Sequence, residues 1–466
     1  MKICIISNWY PPYATSGAGI YVGNIAKALV RSGHDVSVIT MLPNYQGLSS
    51  LNPKLRVENG VKVYRFHPIL ETRWKINLFN KKIIIPFWYL TEFYNPHSDH
   101  VIKKILKKEK PDVVHVNYIR GFSSSVMKVV KDLNLPLVYT CHDYHLICPL
   151  SLLLHRSGEI CTNPTPLCKF WAYMNNKIIN SNPDIVITAS QFLLNKHMST
   201  GFFKKSKKIV LPHGIELNNL NDTSNINNHR KDFKILYMGQ LAKHKGVHIL
   251  IKAFKKSKKK ILPNALKINE FELKKEETNK RTFDILYAGG FWKHKGGLTL
   301  IEAFKKIKNE NIRLHIFGGG EYEKEFKKLA ENDNRIIFYG SIPNEKMIEF
   351  YKIADVTVVP SICFEAFGRV IIESFARGTP VIGSNIGGIP EVIKEGHNGF
   401  LFEPGNVEQL KQILENIIEN PEQLKELSKN AFESAKQYSM DKYIEKLLDI
   451  YKEAIELNKN RILHKS

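Results

Sequence analysis

Two carboxylates, Glu365 and Glu373, stand eight positions apart on either side of a Phe-Gly-Arg turn in SICFEAFGRVIIESFARGTPVIGSNIGGIPEVIKEGHNGFLF, Ser361 to Phe402. An ionised carboxylate only accepts hydrogen bonds, so such a pair suits gripping different hydroxyls of one ligand, as in a nucleotide-linked sugar. The preceding Ala354-Asp355-Val356-Thr357-Val358-Val359-Pro360-Ser361 reads as a buried parallel strand ending at Pro360. Gly368 permits close backbone approach, and a helix is expected to begin near it and run from Arg369 to Arg377 on Val370, Ile371, Phe375 and Ala376. Open α/β sheets bind ligands beyond the carboxyl ends of their strands, and a helix N-terminus there favours phosphate. Two solvated surface glutamates are the competing reading; the Gly-rich loops around the pair argue against it.

Elements able to position such a site recur along the chain. Met1-Lys2-Ile3-Cys4-Ile5-Ile6-Ser7 is a first strand, followed by Asn8-Trp9-Tyr10-Pro11-Pro12 and Ser16-Gly17-Ala18-Gly19. A helix with Val22, Ile25, Ala26 and Leu29 on one stripe stops at Gly33, and His34 to Thr40 is the next strand. This is a β-loop-α-β unit whose Gly-rich loop can approach a diphosphate, a weak signal by itself. Pro111 to Asn117 and Leu135 to Asp143 are further strands with polar ends. His142 sits at a carboxyl end, where an inward polar group serves function in such sheets; a satisfied structural histidine is the alternative.

The Glu365–Glu373 segment resembles the donor-binding signature of the family 4 retaining glycosyltransferases of the GT-B fold (glycosyl transferases group 1), and the resemblance covers nearly the whole chain. It implies an α/β protein of two Rossmann-like, doubly wound domains facing across a cleft. Residues 1–205 would form the acceptor-side domain and 206–437 the nucleotide-sugar domain. A helix within 438–466, striped by Ile444, Leu447, Leu448, Tyr451 and Ile455, would return to the first domain. By the same resemblance Glu365 contacts the transferred sugar and Glu373 the ribose, with the amides of Phe367 and Gly368 against sugar and phosphate and Gly17 at the donor phosphate. HDYHLICP resembles the family's active-site histidine segment, which puts His142 near the reacting sugar, with Asp143 and His145 as secondary candidates. The implied reaction retains anomeric configuration and needs no cofactor and no metal. Its partners are a nucleotide sugar and a glycan or polyprenyl/lipid-linked acceptor.

The second domain departs from that family in carrying a duplication. Phe233 to Lys256 aligns with Phe283 to Lys306 at 15 of 24 identical positions, and Phe203-Lys204-Lys205-Ser206-Lys207-Lys208 recurs as Phe254-Lys255-Lys256-Ser257-Lys258-Lys259. The repeat runs over 207–256 and 258–306; a period of about fifty residues present twice falls short of the ~3 units a solenoid needs. Each copy has a strand, a Gly and a Lys-His-Lys-Gly turn before an amphipathic helix. The lysine before the last glycine resembles the family's diphosphate-binding lysine, a cation that neutralises charge on the departing phosphate. The second copy, Gly289 and Lys295, is expected to be the working one because it runs directly into the strand Arg313 to Phe317. The first, with Lys245, would then be an added edge unit or an ordered insertion. A second function class follows: a catalytically impaired sugar-nucleotide-binding or membrane-associated partner protein.

Bulk properties narrow the rest. At 466 residues and 43% hydrophobic content the chain can fill two cores. No stretch reaches the ~18 apolar residues that span a bilayer, and the short apolar N-terminus reads as a strand, so the expected location is cytoplasmic. The formal charge of +23 is carried mainly by lysine. Runs such as Lys103 to Lys108 and Lys255 to Lys260 suit an anionic membrane surface or a solvated face; nucleic-acid binding ranks last, since no Arg-aromatic interleaving reads bases. Arg73 to Leu90 mixes basic, aromatic and aliphatic residues, as an interfacial membrane segment does, although packing on its own sheet would give the same mixture. Six cysteines make no disulfide scaffold. Cys148, Cys161 and Cys168 with His155 lack the Cys-x-x-Cys pairing of structural zinc sites, so they read as ordinary thiols.

Overall fold

Short apolar runs build two sheets, one wholly parallel and one parallel but for a single hairpin. The computed structural model describes residues 1–14, 17–42, 48–69, 91–155, 160–180, 182–217, 234–238, 283–288, 312–317, 336–340 and 354–464. The chain divides into one unit of Met1–Leu152, Asn163–Gly214 and Met440–Ser466, and a second of Leu153–Thr162 and Ile215–Ser439.

In the first unit, β1 (Lys2–Ile6), β2 (Asp35–Met41), β3 (Lys54–Glu58), β4 (Val61–Phe66), β5 (Val113–Val116), β6 (Leu137–Cys141), β7 (Ile185–Thr188) and β8 (Lys207–Val210) lie in the order β3-β4-β2-β1-β5-β6-β7-β8. Every pairing is parallel except the β3–β4 hairpin, whose turn residues Asn59 and Gly60 both have positive φ. The helices are α1 (Gly17–Arg31), α2 (Pro96–Glu109), α3 (Val126–Asp132), α4 (Pro166–Ile179) and α5 (Gln191–Ser199). Asn95, Thr165 and Ser190 cap α2, α4 and α5 by accepting the amides of Ser98, Cys168 and Leu193, and proline opens α2 and α4.

Because successive strand residues face opposite ways, each sheet face has its own core. Cys4 and Ile6 pack with Val101, Ile105, Met127 and Val130 of α2 and α3. Ile3 and Ile5 pack with Tyr21, Val22, Ile25 and Leu29 of α1.

The second unit holds β9 (Lys234–Met238), β10 (Phe283–Ala288), β11 (Ile312–Phe317), β12 (Ile336–Gly340), β13 (Val356–Val359), β14 (Val381–Ser384) and β15 (Gly399–Phe402). Their order is β12-β11-β10-β9-β13-β14-β15, all parallel. Its helices are α6 (Arg369–Phe375), α7 (Val407–Glu419) and α8 (Pro421–Ala435). β9 and β10 are the strands of the two repeat copies, and they pair in the register that sets like beside like: Ile235 with Ile285, Leu236 with Leu286, Tyr237 with Tyr287. The expectation of the first copy as an edge unit is therefore corrected, since β9 lies inside the sheet between β10 and β13. The sequence Ile235-Leu236-Tyr237 has none of the charges that guard an open edge, which agrees with an inner position in the sheet.

The last helix, α9 (Met440–Leu463), belongs to the first unit and packs against α1 through Tyr443, Leu447 and Tyr451. The hydroxyls of Tyr21 and Tyr443 hydrogen-bond, and the Tyr451 hydroxyl meets His115 Nδ1 at 2.6 Å. Among the described residues no helix is long and apolar enough to cross a membrane.

Candidate active site

The strand order of the second unit reverses at β9: the chain steps outward through β10, β11 and β12, then returns to β13 on the other side. In doubly wound sheets the crevice at that reversal, beyond the carboxyl ends, is where ligands sit. The loop after β13 carries Glu365, Phe367 and Gly368, and α6 follows directly with Glu373 on its second turn.

This loop is fixed from three sides. Gly368 is left-handed, at φ 86° and ψ 59°, and a Cβ there would lie 2.8 Å from Ile371 Cδ1 and 3.7 Å from Glu365 Cγ. Glycine is thus required both by conformation and by space. The Glu365 carbonyl accepts the Gly388 amide at 2.8 Å, and a Cβ on Gly387 would fall 2.4 Å from that same oxygen. Beneath the loop Phe367 is buried edge-on to Tyr438, with centroids 6.0 Å apart, so it has its main chain to offer a ligand. The Tyr438 hydroxyl titrates above its usual range because it is buried, with Glu391 adding repulsion.

α6 is locked to the sheet through Ser374, whose hydroxyl meets Thr357 Oγ1 at 2.7 Å and donates to the Thr379 carbonyl at 2.8 Å. Ile371, Ile372 and Phe375 face inward, while Glu365 and Glu373 are part-exposed. Arg369 Nη2 donates to Glu373 Oε1 at 2.8 Å, one helical turn away. Glu373 was expected as an acceptor for ligand hydroxyls; the structure adds that one of its oxygens is already oriented by Arg369. The helix ends at Phe375 rather than Arg377, where Arg377 and Gly378 turn back onto Ser374 and Phe375.

In the first unit His142 follows β6, and its Nε2 lies 3.0 Å from Asn117 Oδ1, at the end of neighbouring β5. Asn117 Nδ2 points to the His115 carbonyl at 3.5 Å, so Oδ1 accepts and His142 carries its proton on Nε2. The ring stands 5.0 Å from Tyr21, edge-on, and 5.4 Å from His213. Gly17 opens α1, and a side chain there would meet no heavy atom within 4 Å. Gly19 and Gly23 differ: a Cβ on Gly19 would press on Trp9 and Ala14 at 2.9 Å, and one on Gly23 on Pro11 at 2.7 Å. Of these three glycines, Gly17 is the one with open space around its Cβ position.

The secondary candidates have a structural role in view. Asp143 Oδ1 accepts from the His145 amide at 2.9 Å and meets its Nδ1 at 2.7 Å. Burial pushes the Asp143 carboxyl up, but His145 and Arg120 outweigh it and hold it below its usual range. Trp171 Nε1 donates to the His145 carbonyl at 2.7 Å, anchoring the loop after β6. His115, between Tyr451 and Thr140, is driven by burial to about 3 and is a neutral strut.

Lys245, Gly289, Lys295 and the segment Arg73 to Leu90 lie outside the described residues. Among the described residues no three His, Cys, Asp or Glu side chains converge as a metal set. Gly387 and Gly388 were missed as site-builders; their signal was the paired glycine in the same signature stretch.

Comparison with known proteins bears on the family and the fold. The family model for glycosyl transferases group 1 covers residues 268–434, and that for glycosyltransferase family 4 covers residues 15–219. The uncharacterized glycosyltransferase MJ1178 of Methanocaldococcus jannaschii is 31% identical, spanning 86% of this chain and 93% of its own. Sucrose-phosphate synthase of Thermosynechococcus elongatus superposes with a TM-score of 0.65 at 19% identity, over 97% of this chain and 98% of that one. HepE of Anabaena, solved with UDP, gives 0.62 at 18%, over 97% and 100%. With its paired glutamates on the loop and helix after β13 and these relatives at full length, the chain belongs to the group 1, family 4 glycosyltransferases of the GT-B fold.

Proposed function

We propose that this glycosyltransferase moves a sugar from a nucleoside-diphosphate donor to a glycan or lipid-linked acceptor, with retention at the anomeric carbon and without a metal. The observation that carries it is the placement of Glu365 and Glu373 on one rigid loop and helix at the point of strand-order reversal. In this reading Glu365 holds hydroxyls of the transferred sugar and Glu373, steadied by Arg369, holds the ribose. The main chain at Phe367 and Gly368 lies against sugar and phosphate. Gly17 leaves room for the donor phosphate, and His142 serves the reacting sugar from the first unit. Catalysis then rests on positioning and on stabilising the leaving diphosphate rather than on a protein nucleophile.

The phosphate lysine is the residue where strand order changes the reading. The family match begins at residue 268 and so runs through the second copy, which favours Lys295. Yet β9, not β10, adjoins β13, and a crevice is made by neighbouring strands whatever their order along the chain. On that ground the diphosphate falls to the segment that follows β9 in sequence, with Gly239 and Lys245, and Lys295 of the second copy is the alternative.

HepE is solved with UDP-glucose, so UDP-glucose is the first donor to try. Turnover should fall about a hundredfold or more in Glu365→Gln, as when a group made for the transition state is lost. Lys245→Met should lose turnover and Lys295→Met should keep it; the reverse pattern returns the role to Lys295. A product of inverted configuration sinks the retaining mechanism.

A further inference from the structure

The outer face of α4 is exposed among the described residues, and its composition calls for a partner. Trp171, Asn175 and Ile179 turn inward, while Leu167, Phe170 and Tyr173 are 62%, 50% and 54% exposed. Phe170 packs edge-on against Phe93, and beside Phe93 stands Tyr94, 60% exposed. Lys169 and Lys177 are the charged groups of this helix, which has no acidic residue, and the Lys177 ammonium lies 5.1 Å from the Tyr173 ring centroid. Exposed large apolar groups on one helix face, flanked by cations, mark an interaction surface rather than an ordinary solvated one.

We infer that this face docks on an anionic bilayer. α3 packs against both α2 and α4, and the three helices together expose seven lysines against one exposed acid, Asp132. A second copy of the chain would bring those lysines against their own counterparts, whereas anionic headgroups complement them. Aromatic and aliphatic side chains with lysine stems that reach past them suit the boundary of headgroups and acyl chains. The face contains no arginine to stack on or read bases, which sets it apart from a nucleic-acid surface. The inference is independent of the donor chemistry: it concerns where the enzyme works, at a surface that would carry a lipid-linked acceptor.

Sedimentation of the full chain with vesicles of phosphatidylcholine, with and without phosphatidylglycerol, tests it. The wild type should bind the anionic vesicles and leave the neutral ones. Replacing Lys169 and Lys177 together by Gln should weaken binding about 30-fold, taking about fivefold for each lysine near an anionic surface. Leu167→Ser, Phe170→Ser and Tyr173→Ser combined should weaken it at least about tenfold. Both variants should keep the wild-type melting temperature and its donor hydrolysis in the absence of vesicles, since every altered side chain is exposed. Equal binding to neutral vesicles, a serine variant within twofold of wild type, a dimer in light scattering that Phe170→Ser splits, or Phe170-dependent binding to single-stranded RNA in place of vesicles would each overturn the proposal.

Discussion

Gly387→Ala isolates the coupling between the loop after β14 and the loop after β13 that carries Glu365. Gly387 has φ +64°, and its added Cβ would stand 2.4 Å from the Glu365 carbonyl oxygen and 2.6 Å from its nitrogen. Both obstacles are backbone, so no side chain can swing aside. Ordinary van der Waals contact begins at 3.4 Å, which requires Glu365 to retreat by about 1 Å. A misplacement of that size costs roughly a hundredfold in rate, about 2.7 kcal/mol of transition-state stabilisation. The left-handed backbone adds roughly 1–2 kcal/mol of destabilisation. Gly396→Ala is the control: its φ is +67°, but nothing lies within 4 Å of the new Cβ. Thermal melting and steady-state donor turnover on the two variants separate strain from displacement. Both should melt lower, Gly387→Ala by more because the backbone clash adds to the shared positive-φ strain, and Gly387→Ala alone should lose kcat. If Gly387→Ala turns over donor as well as Gly396→Ala does, the claim that this glycine positions Glu365 is wrong.

Other consequences follow from buried polar groups. Ser374→Ala removes the bridge from α6 to Thr357 and the Thr379 carbonyl and should cost about 1–3 kcal/mol in denaturant unfolding; an unchanged midpoint would contradict the locking role. His115 is held at about 3 in the fold against its ordinary 6.5, so between those values the unfolded chain binds more protons than the native one. The neutral ring's stabilisation is complete above pH 6.5 and declines as pH falls, on the order of 3 kcal/mol by pH 4. His115→Gln should flatten that acid slope, although His197, driven by burial to about 4, keeps its own share. An acid unfolding curve of unaltered steepness would refute the assignment.

Strands β1, β2, β5, β6 and β13 were legible as short apolar runs with polar or proline ends, whereas β3, β4, β7, β8, β14 and β15 were not singled out; the glutamate pair was legible because it sits in a glycine-punctuated stretch. The stripe of Ile444, Leu447 and Tyr451 marked α9 as amphipathic, but its meeting with Tyr21, 422 positions away, has no local signal. The Arg369–Glu373 pair was readable from its one-turn spacing, and the carboxylate was instead taken only as a ligand acceptor. Gly387 was hidden for a different reason: its neighbour Glu365 comes from the preceding strand's loop, and sequence spacing carries no distance of that kind. The order of the duplicated strands was the hardest to read. Two near-identical segments have the same local preferences, so which of them adjoins β13 is decided by how the connections close.

Like residues facing one another across β9 and β10 also make the sheet modular. The two strands have nearly the same sequence and register, so excising residues 234–282 would bring β10 up to β13 with its ladder partners nearly unchanged. The shortened chain would keep a six-membered sheet, and on the proposed assignment of the diphosphate to the first copy, Lys295 would then follow the strand beside β13. Loss of either copy would therefore leave the sheet a strand of the same sequence type beside β13.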